Sequence, residues 1–453
     1  MDFSQRNTDT HTQKMTDRNG NTTTYTYDDT GNITQIVDAA GGITNATFDA
    51  YANTLMQTDP LHRTTTTTYH AASGTVLTQI DALGNTTTSV YDMYQFKVPG
   101  YSLPPEPTNL LSTTDALGHK TSFGYLPTGM LNSITDANGH ATNFSWSGAN
   151  NDQLSQLTDV LGNKTTYQND AQGRRIVETD PLGNTTKYTY DAAGHLLTTT
   201  RTRAIPGGTQ TLATTNSVDP DGNVLSVTDA LGNVTQTAWT PLKKPAAQTD
   251  ALGRVTSYNY DAIGRANKTT YPDGTSESTG YDANGNVTSQ TDRAGRTTTT
   301  VYDALNRPTE VTTPDGATNT TVYDAAGQIT QVADALNRTI KYEYDSAGRK
   351  TKSIDAAGNA TGYVYDAAGR LTVTSDALGH ITKSDYDAAS RKTQTTYADG
   401  STSKYEYDAA GKKTKDIDSM TPMAASFRSP MRSARLRAMV TTNWATGPNK
   451  PTR

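Results

Sequence analysis

Cysteine is absent from all 453 residues. Disulfides, thiolate metal sites and thiol nucleophiles are therefore excluded. Phenylalanine is scarce, 6 against 25 tyrosines, and apolar residues make up only 33% of the chain, too few for a conventional dry core. No apolar run approaches the roughly 20 residues that span a bilayer. The first residues, MDFSQRNTDTHTQ, lack the basic-then-apolar order of a signal peptide. Basic residues are in deficit: 39 Lys and Arg against 45 Asp and Glu give a net charge of -6. That argues against a phosphate-binding, nucleic-acid surface.

Tyrosine and threonine are plentiful, and both suit half-buried strands with a wet face. A repeat organises them. Tyr260, Tyr281, Tyr302, Tyr323, Tyr344, Tyr365, Tyr386 and Tyr407 stand 21 residues apart, and the slot continues backwards to Tyr27 to make 18 copies, 16 of them aromatic. Asp follows in 14 of the 18. The signature is clearest in Tyr260-Asp261-x-x-Gly264, Tyr281-Asp282-x-x-Gly285, Tyr323-Asp324-x-x-Gly327, Tyr344-Asp345-x-x-Gly348, Tyr365-Asp366-x-x-Gly369 and Tyr407-Asp408-x-x-Gly411. Each copy holds a second turn of the same kind, such as DALGN at Asp81 or DALGR at Asp250.

Asp opening a turn can bond the backbone N–H groups ahead of it, and Gly three residues on supplies a positive φ. Asp-x-x-Gly thus predicts a type I turn closed by a left-handed residue, a common hairpin link. Asn306 and Asn337 replace Gly in two copies and also tolerate that conformation, whereas Lys243, Gln95 and Ser390 break the pattern. The five or six residues between turns alternate, Tyr258 and Tyr260 on one face and Asn259 on the other, which is strand periodicity. The fold class expected is all-β: a long, coiled, antiparallel sheet of short strands. A parallel β-solenoid is the alternative. The aromatic face is expected to pack against neighbouring units. Length varies in one half of the unit alone, with Pro/Gly-rich loop insertions expected near 93–110 and 200–209.

These residues resemble the RHS or YD repeat, Tyr-Asp-x-x-Gly-Arg, over about residues 17–418. The family includes polymorphic toxins, toxin-complex subunits and teneurins. The resemblance implies a spiralling β-shell, which in toxin members encloses a C-terminal toxic domain that some members cut free with an aspartyl autoprotease. The post-repeat segment that seals the shell and makes the cut is not matched here: DPLH at Asp59 and DPLG at Asp180 are ordinary repeat turns, and no catalytic residue carries over.

The array is therefore expected at 17–418, after an irregular start at 1–16 and before a non-repeat tail at 419–453. Read one nucleotide earlier, the tail's implied codons can yield repeat motifs at 420, 431 and 441, spaced 11 and 10. The tail is thus expected to be out of frame or disordered, and the chain to be a middle slice of a longer protein whose open curved sheet exposes strand edges at both ends. His119, His140, His195 and His380 follow turn glycines and read as turn residues rather than ligands. DPDGN at Asp219 lacks the ligand pattern of a calcium loop, and no nucleophile motif is present. No catalytic, metal or cofactor site is expected.

The function expected is a non-catalytic shell segment whose partners are a toxin cargo or further repeats, secreted or at the cell surface in the full-length family, with the fragment itself cytoplasmic. The alternative is a cell-surface module binding a glycan or protein.

Overall fold

A computed structural model describes residues 2–7, 11–71, 73–94, 97–98, 101–102, 106–148 and 152–419. Gln95 and the tail from residue 420 lie outside them. No helix occurs among the described residues. A single sheet of 38 strands accounts for nearly all of them, with a separate small hairpin of Lys97–Val98 and Tyr101–Ser102. Each strand of the large sheet pairs antiparallel with its sequence neighbours, as Val255–Tyr260 does with Pro245–Thr249 on one side and Ala266–Thr270 on the other. The solenoid alternative needs parallel pairing and does not occur. The first strand, Asp2–Asn7, and the last, Lys413–Ser419, do not pair with each other. The sheet is open.

Six-residue strands ending on the aromatic alternate with five-residue strands. Thr249 lies directly opposite Val255 across the Asp250 turn, but the register shifts between Asn259 and Tyr260 across the Asp261 turn. The Tyr-Asp hairpin thus carries a bulge, which bends and twists the sheet in every unit. Threonine pairs such as Thr58 with Thr64 and Thr291 with Thr297, 2.9 and 2.8 Å apart at their hydroxyls, tie neighbouring strands. Each such cross-strand pair contributes roughly 0.2–1 kcal/mol.

Two expectations need correcting. Strand pairing is present ahead of Asp17, where Asp2–Asn7 pairs with Thr12–Thr16 with a shift of register between Asp2 and Gln5; residues 1 and 8–10 of the expected irregular start lie outside the described residues. The insertion near 200–209 is no loop. Leu196–Ile205 pairs without a break against Gly208–Val218, since the alternating Thr and Arg run simply prolongs both strands. In the insertion near 93–110, Thr86–Tyr94 likewise extends against Glu106–Thr114. The aromatic face meets neighbouring units without forming a dry core: among the described residues no hydrophobic side chain is buried, and the buried side chains are Ser112, Thr395 and Ser403. The signature tyrosines, such as Tyr260 and Tyr344, are half-buried, held by polar contacts described below.

The sheet also coils onto itself. Asn19 Nδ2 donates to Asp282 Oδ2 at 2.9 Å, Asn284 Nδ2 to Asp17 Oδ2 at 2.7 Å, Arg63 Nη1 to Gln328 Oε1 at 2.6 Å and Ser346 Oγ to the Ala82 carbonyl at 3.4 Å. These partners are 263 to 267 residues apart in sequence. One revolution therefore holds about 23 strands of the large sheet. At ~4.8 Å per strand the coil is roughly 110 Å round and ~35 Å across. Barrels of about 8 strands are filled by their own side chains, whereas those of ~16 or more enclose water. A coil this wide is hollow, which accounts for the missing core.

Candidate functional site

Two constructions recur among the described residues, the repeat unit and the seam between coils. The unit begins at its turn. The carboxylate of each signature aspartate accepts the N–H of the residue four ahead: Arg265 on Asp261, Asn286 on Asp282, Gln328 on Asp324, Arg349 on Asp345, Arg370 on Asp366 and Lys412 on Asp408, all at 2.8 to 2.9 Å. Gly264, Gly285, Gly327, Gly348, Gly369 and Gly411 take φ between 78 and 103°, and each donates its N–H to the aspartate carbonyl at 2.9 to 3.2 Å. Each of these turns is thus closed by a left-handed glycine, with both the carboxylate and the carbonyl of its aspartate accepting N–H groups. Asn306 and Asn337 hold φ of 61 and 58°, and Lys243 and Ser390 adopt 57 and 61° as well, so the turn forms even where the residue does not favour it.

The turn bonds hold carboxylates ionised. Hydrogen bonds from the Thr30 hydroxyl and the Asn32 amide lower Asp28 to about 2. The Arg265 N–H lowers Asp261, and the Arg338 side chain lowers Asp334.

The signature tyrosine does not merely fill space. Its hydroxyl donates to the carbonyl fifteen residues back, at the start of a strand in the preceding unit: Tyr260 to Pro245, Tyr281 to Ala266, Tyr323 to Pro308, Tyr344 to Ile329, Tyr365 to Lys350 and Tyr407 to Lys392, at 2.7 to 2.9 Å. Burial raises the Tyr344 and Tyr365 hydroxyls above the usual phenol range, so both remain donors. Trp146 and Trp239 use indole N–H groups for the same bond, to Leu131 and Val224. A phenylalanine has no donor, which explains why this chain prefers tyrosine.

The arginine after the turn glycine belongs to the repeat signature, but the sequence alone assigns it no role. It makes three contacts. Arg370 Nε donates to its own Asp366 Oδ2 at 2.7 Å, Nη1 donates to the Asp387 carbonyl of the next unit at 2.9 Å, and the guanidinium lies 5.0 Å from the centre of the Tyr386 ring. Arg265, Arg307, Arg349 and Arg391 repeat all three. Tyr, Asp, Gly and Arg thus form a staple running from unit to unit along one margin of the ribbon, each contact polar enough to work in water.

The seam uses the turns' outer surfaces. Hairpins alternate between the two margins, so the Tyr-Asp turns occupy one and the DALG-type turns the other. At the seam the DALG-type margin of the first coil, with Asp17, Arg63 and Ala82, abuts the Tyr-Asp margin of the second, with Asp282, Gln328 and Ser346. An open cavity of about 830 Å³ lies along it, lined by Asp59, Arg63, Asp81, Asp115, Ser346 and Arg349 among others. His119, His140, His195 and His380 each face the aspartate of their own turn, Nδ1 to Oδ2 at 2.8 to 3.3 Å. Among the described residues no group of three or more His, Asp or Glu side chains is arranged to hold a metal ion, and no helix is long and apolar enough to cross a membrane.

Comparison with known proteins bears on this construction. A teneurin YD-shell family model matches residues 223–414, and an RHS repeat model matches 7–43, 149–185 and 170–210. No curated protein sequence matches the chain. Among solved structures, TcdB2-TccC3 without its hypervariable C-terminal region is similar with a TM-score of 0.65 at 11% identity, over 90% of this chain and 24% of that one. TcdB2-TccC3 itself gives 0.64 at 12% identity, over 91% and 26%. The Tc holotoxin pore of Photorhabdus luminescens gives 0.58 at 13% identity, over 90% and 26%. The chain therefore spans about a quarter of the length of those solved chains, and the likeness lies in the fold.

Proposed function

The chain belongs to the RHS/YD-repeat family, and from that premise we propose that it is a non-catalytic length of shell wall that encloses a toxic polypeptide cargo and helps deliver it outside the producing cell. The observation that carries this reading is the width of the coil. About 23 strands per revolution surround a space too wide for side chains to fill, and the coil closes laterally by turn-to-turn contacts rather than by a core. A wall of this kind acts sterically, separating its contents from its surroundings. Its organisation into an array over 17–418 suits that role, because length can be added unit by unit without altering the cross-section. The signature residues are structural in this reading: Tyr, Asp and Gly build the rungs that keep the wall intact.

The test is protease protection. The protein is purified from its native producer and digested with trypsin at neutral pH. A co-purifying polypeptide should survive while the wall is folded and be cut when the complex is first opened at about pH 2 and then returned to neutral pH for digestion. An empty wall, or a companion polypeptide cut as fast as when free, would overturn the reading.

A further inference from the structure

Among the described residues the seam leaves a part of each margin uncovered, and their side chains show what covers such margins elsewhere in the molecule. The third residue of most DALG-type turns is leucine. Where the second coil lies against this margin, Leu61, Leu83 and Leu117 are 40, 41 and 40% exposed. Beyond the overlap, the same slot in the same turn holds Leu182, Leu231 and Leu378 at 85, 86 and 82%. Contact with the opposite margin therefore halves the exposure of this leucine. The Tyr-Asp margin behaves alike. Leu305, between Asp282 and Asp324 where this margin meets the first coil, is half-buried, whereas Tyr51, Leu242 and Ile263, in the same turn slot outside the overlap, are exposed.

One margin thus carries five exposed leucines between Leu182 and Leu378, interspersed with Asp273, Ala294, Asp315 and Ala357 in the same slot, and the other a free row of Tyr-Asp turns from Asp28 to Asp261. The two are the same surfaces that already fit each other inside the molecule. We propose that a second copy of this chain covers them: the free DALG-type margin of one copy seats on the free Tyr-Asp margin of the next, repeating the internal seam between molecules. The contact is head-to-tail, because the two surfaces differ, and it continues a spiral rather than closing a ring, so it generates stacks whose length grows with concentration. Leucines this exposed in one turn slot fit an interface better than they fit open solvent. This inference rests on the seam and is independent of any cargo.

The experiment is sedimentation velocity on the whole chain over a hundredfold range of concentration, with two edge variants. One combines Leu182→Lys, Leu231→Lys and Leu252→Lys; the other combines Tyr51→Lys, Leu242→Lys and Ile263→Lys. All six side chains are exposed in turns, so both variants should keep the wild-type far-UV circular dichroism. The wild type should form a ladder of oligomers. Each variant alone should be monomeric, its association weakened at least tenfold. An equimolar mixture should form a one-to-one dimer, since each variant retains the margin the other lacks. A wild type that stays monomeric throughout, variants that associate as well as the wild type, or a mixture that does not dimerise would each overturn the proposal.

Discussion

The hydroxyl of Tyr344 donates to the carbonyl of Ile329 across 2.7 Å, joining one repeat unit to the one before it. The bond predicts an unusual order of tolerance. Tyr344→Phe keeps the ring but leaves a half-buried carbonyl without its donor, at a cost of about 1 kcal/mol. Tyr344→Trp changes shape more but can supply an N–H, as Trp146 and Trp239 do at this slot. Amide hydrogen exchange of the strands Ile329–Ala333 and Thr339–Tyr344 should therefore accelerate roughly fivefold in the Phe variant and less in the Trp variant. Equal acceleration in both would mean that ring packing, not the hydroxyl, holds the units together.

Arg370 and Arg338 occupy the same place in their turns but differ in reach. Arg370 is 15% exposed and bonds its own turn, the next unit's carbonyl and the next tyrosine ring. Arg338 is 67% exposed and its side chain bonds its own Asp334. Lysine lacks the planar fork needed for several directed bonds. Arg370→Lys should cost about 2 kcal/mol, and Arg338→Lys far less, as expected of an exposed ion pair. Urea denaturation of both variants side by side checks this, because the turn itself is a common background.

How much of this could be seen beforehand depended on distance along the chain. Turn, strand and aromatic face follow from residues within ten of one another, and Asp261, Gly264 and Tyr260 alone specify them. The Tyr260 to Pro245 bond spans fifteen residues and requires knowing that the two lie on directly paired strands. The meeting of Asn19 with Asp282 depends on small twists and bulges accumulated over every intervening strand, and no local pattern states their sum. The insertion at Arg201 was misread for a different reason: Pro206 and Gly207 mark a turn but do not reveal how far the strands on either side continue.

Acid should loosen the wall only at low pH. Asp28 is held at about 2, first by the Thr30 hydroxyl and then by the Asn32 amide; Asp261 is lowered chiefly by the Arg265 N–H and Asp334 chiefly by the Arg338 side chain. A carboxylate with a lowered folded-state value binds fewer protons folded than unfolded, so its contribution is complete above the unfolded value of about 3.9 and disappears as pH falls through the folded one. Far-UV circular dichroism should therefore hold steady from pH 7 to about 4 and decline between ~4 and ~2. Loss of sheet near pH 5.5 would show that some other group governs acid stability.

Ala52 holds the closing slot of its turn at a φ of 65°, where glycine stands in most copies. A side chain in the left-handed region costs roughly 1–2 kcal/mol, and glycine's greater freedom in the unfolded chain takes back about 0.5–1. Ala52→Gly should thus stabilise its hairpin by ~0.5–1 kcal/mol. The converse change, Gly253→Ala, meets nothing within 4 Å of its new Cβ at a φ of +78°, so backbone strain alone should destabilise it by about 1 kcal/mol, and Gly253→Asn should cost less, since Asn306 and Asn337 close the same turn. Denaturation midpoints in the order Ala52→Gly, wild type, Gly253→Asn, Gly253→Ala would establish that φ sets the quality of each rung. If Ala52→Gly instead lowered the midpoint, the alanine methyl would have to be making a contact worth more than the strain it imposes.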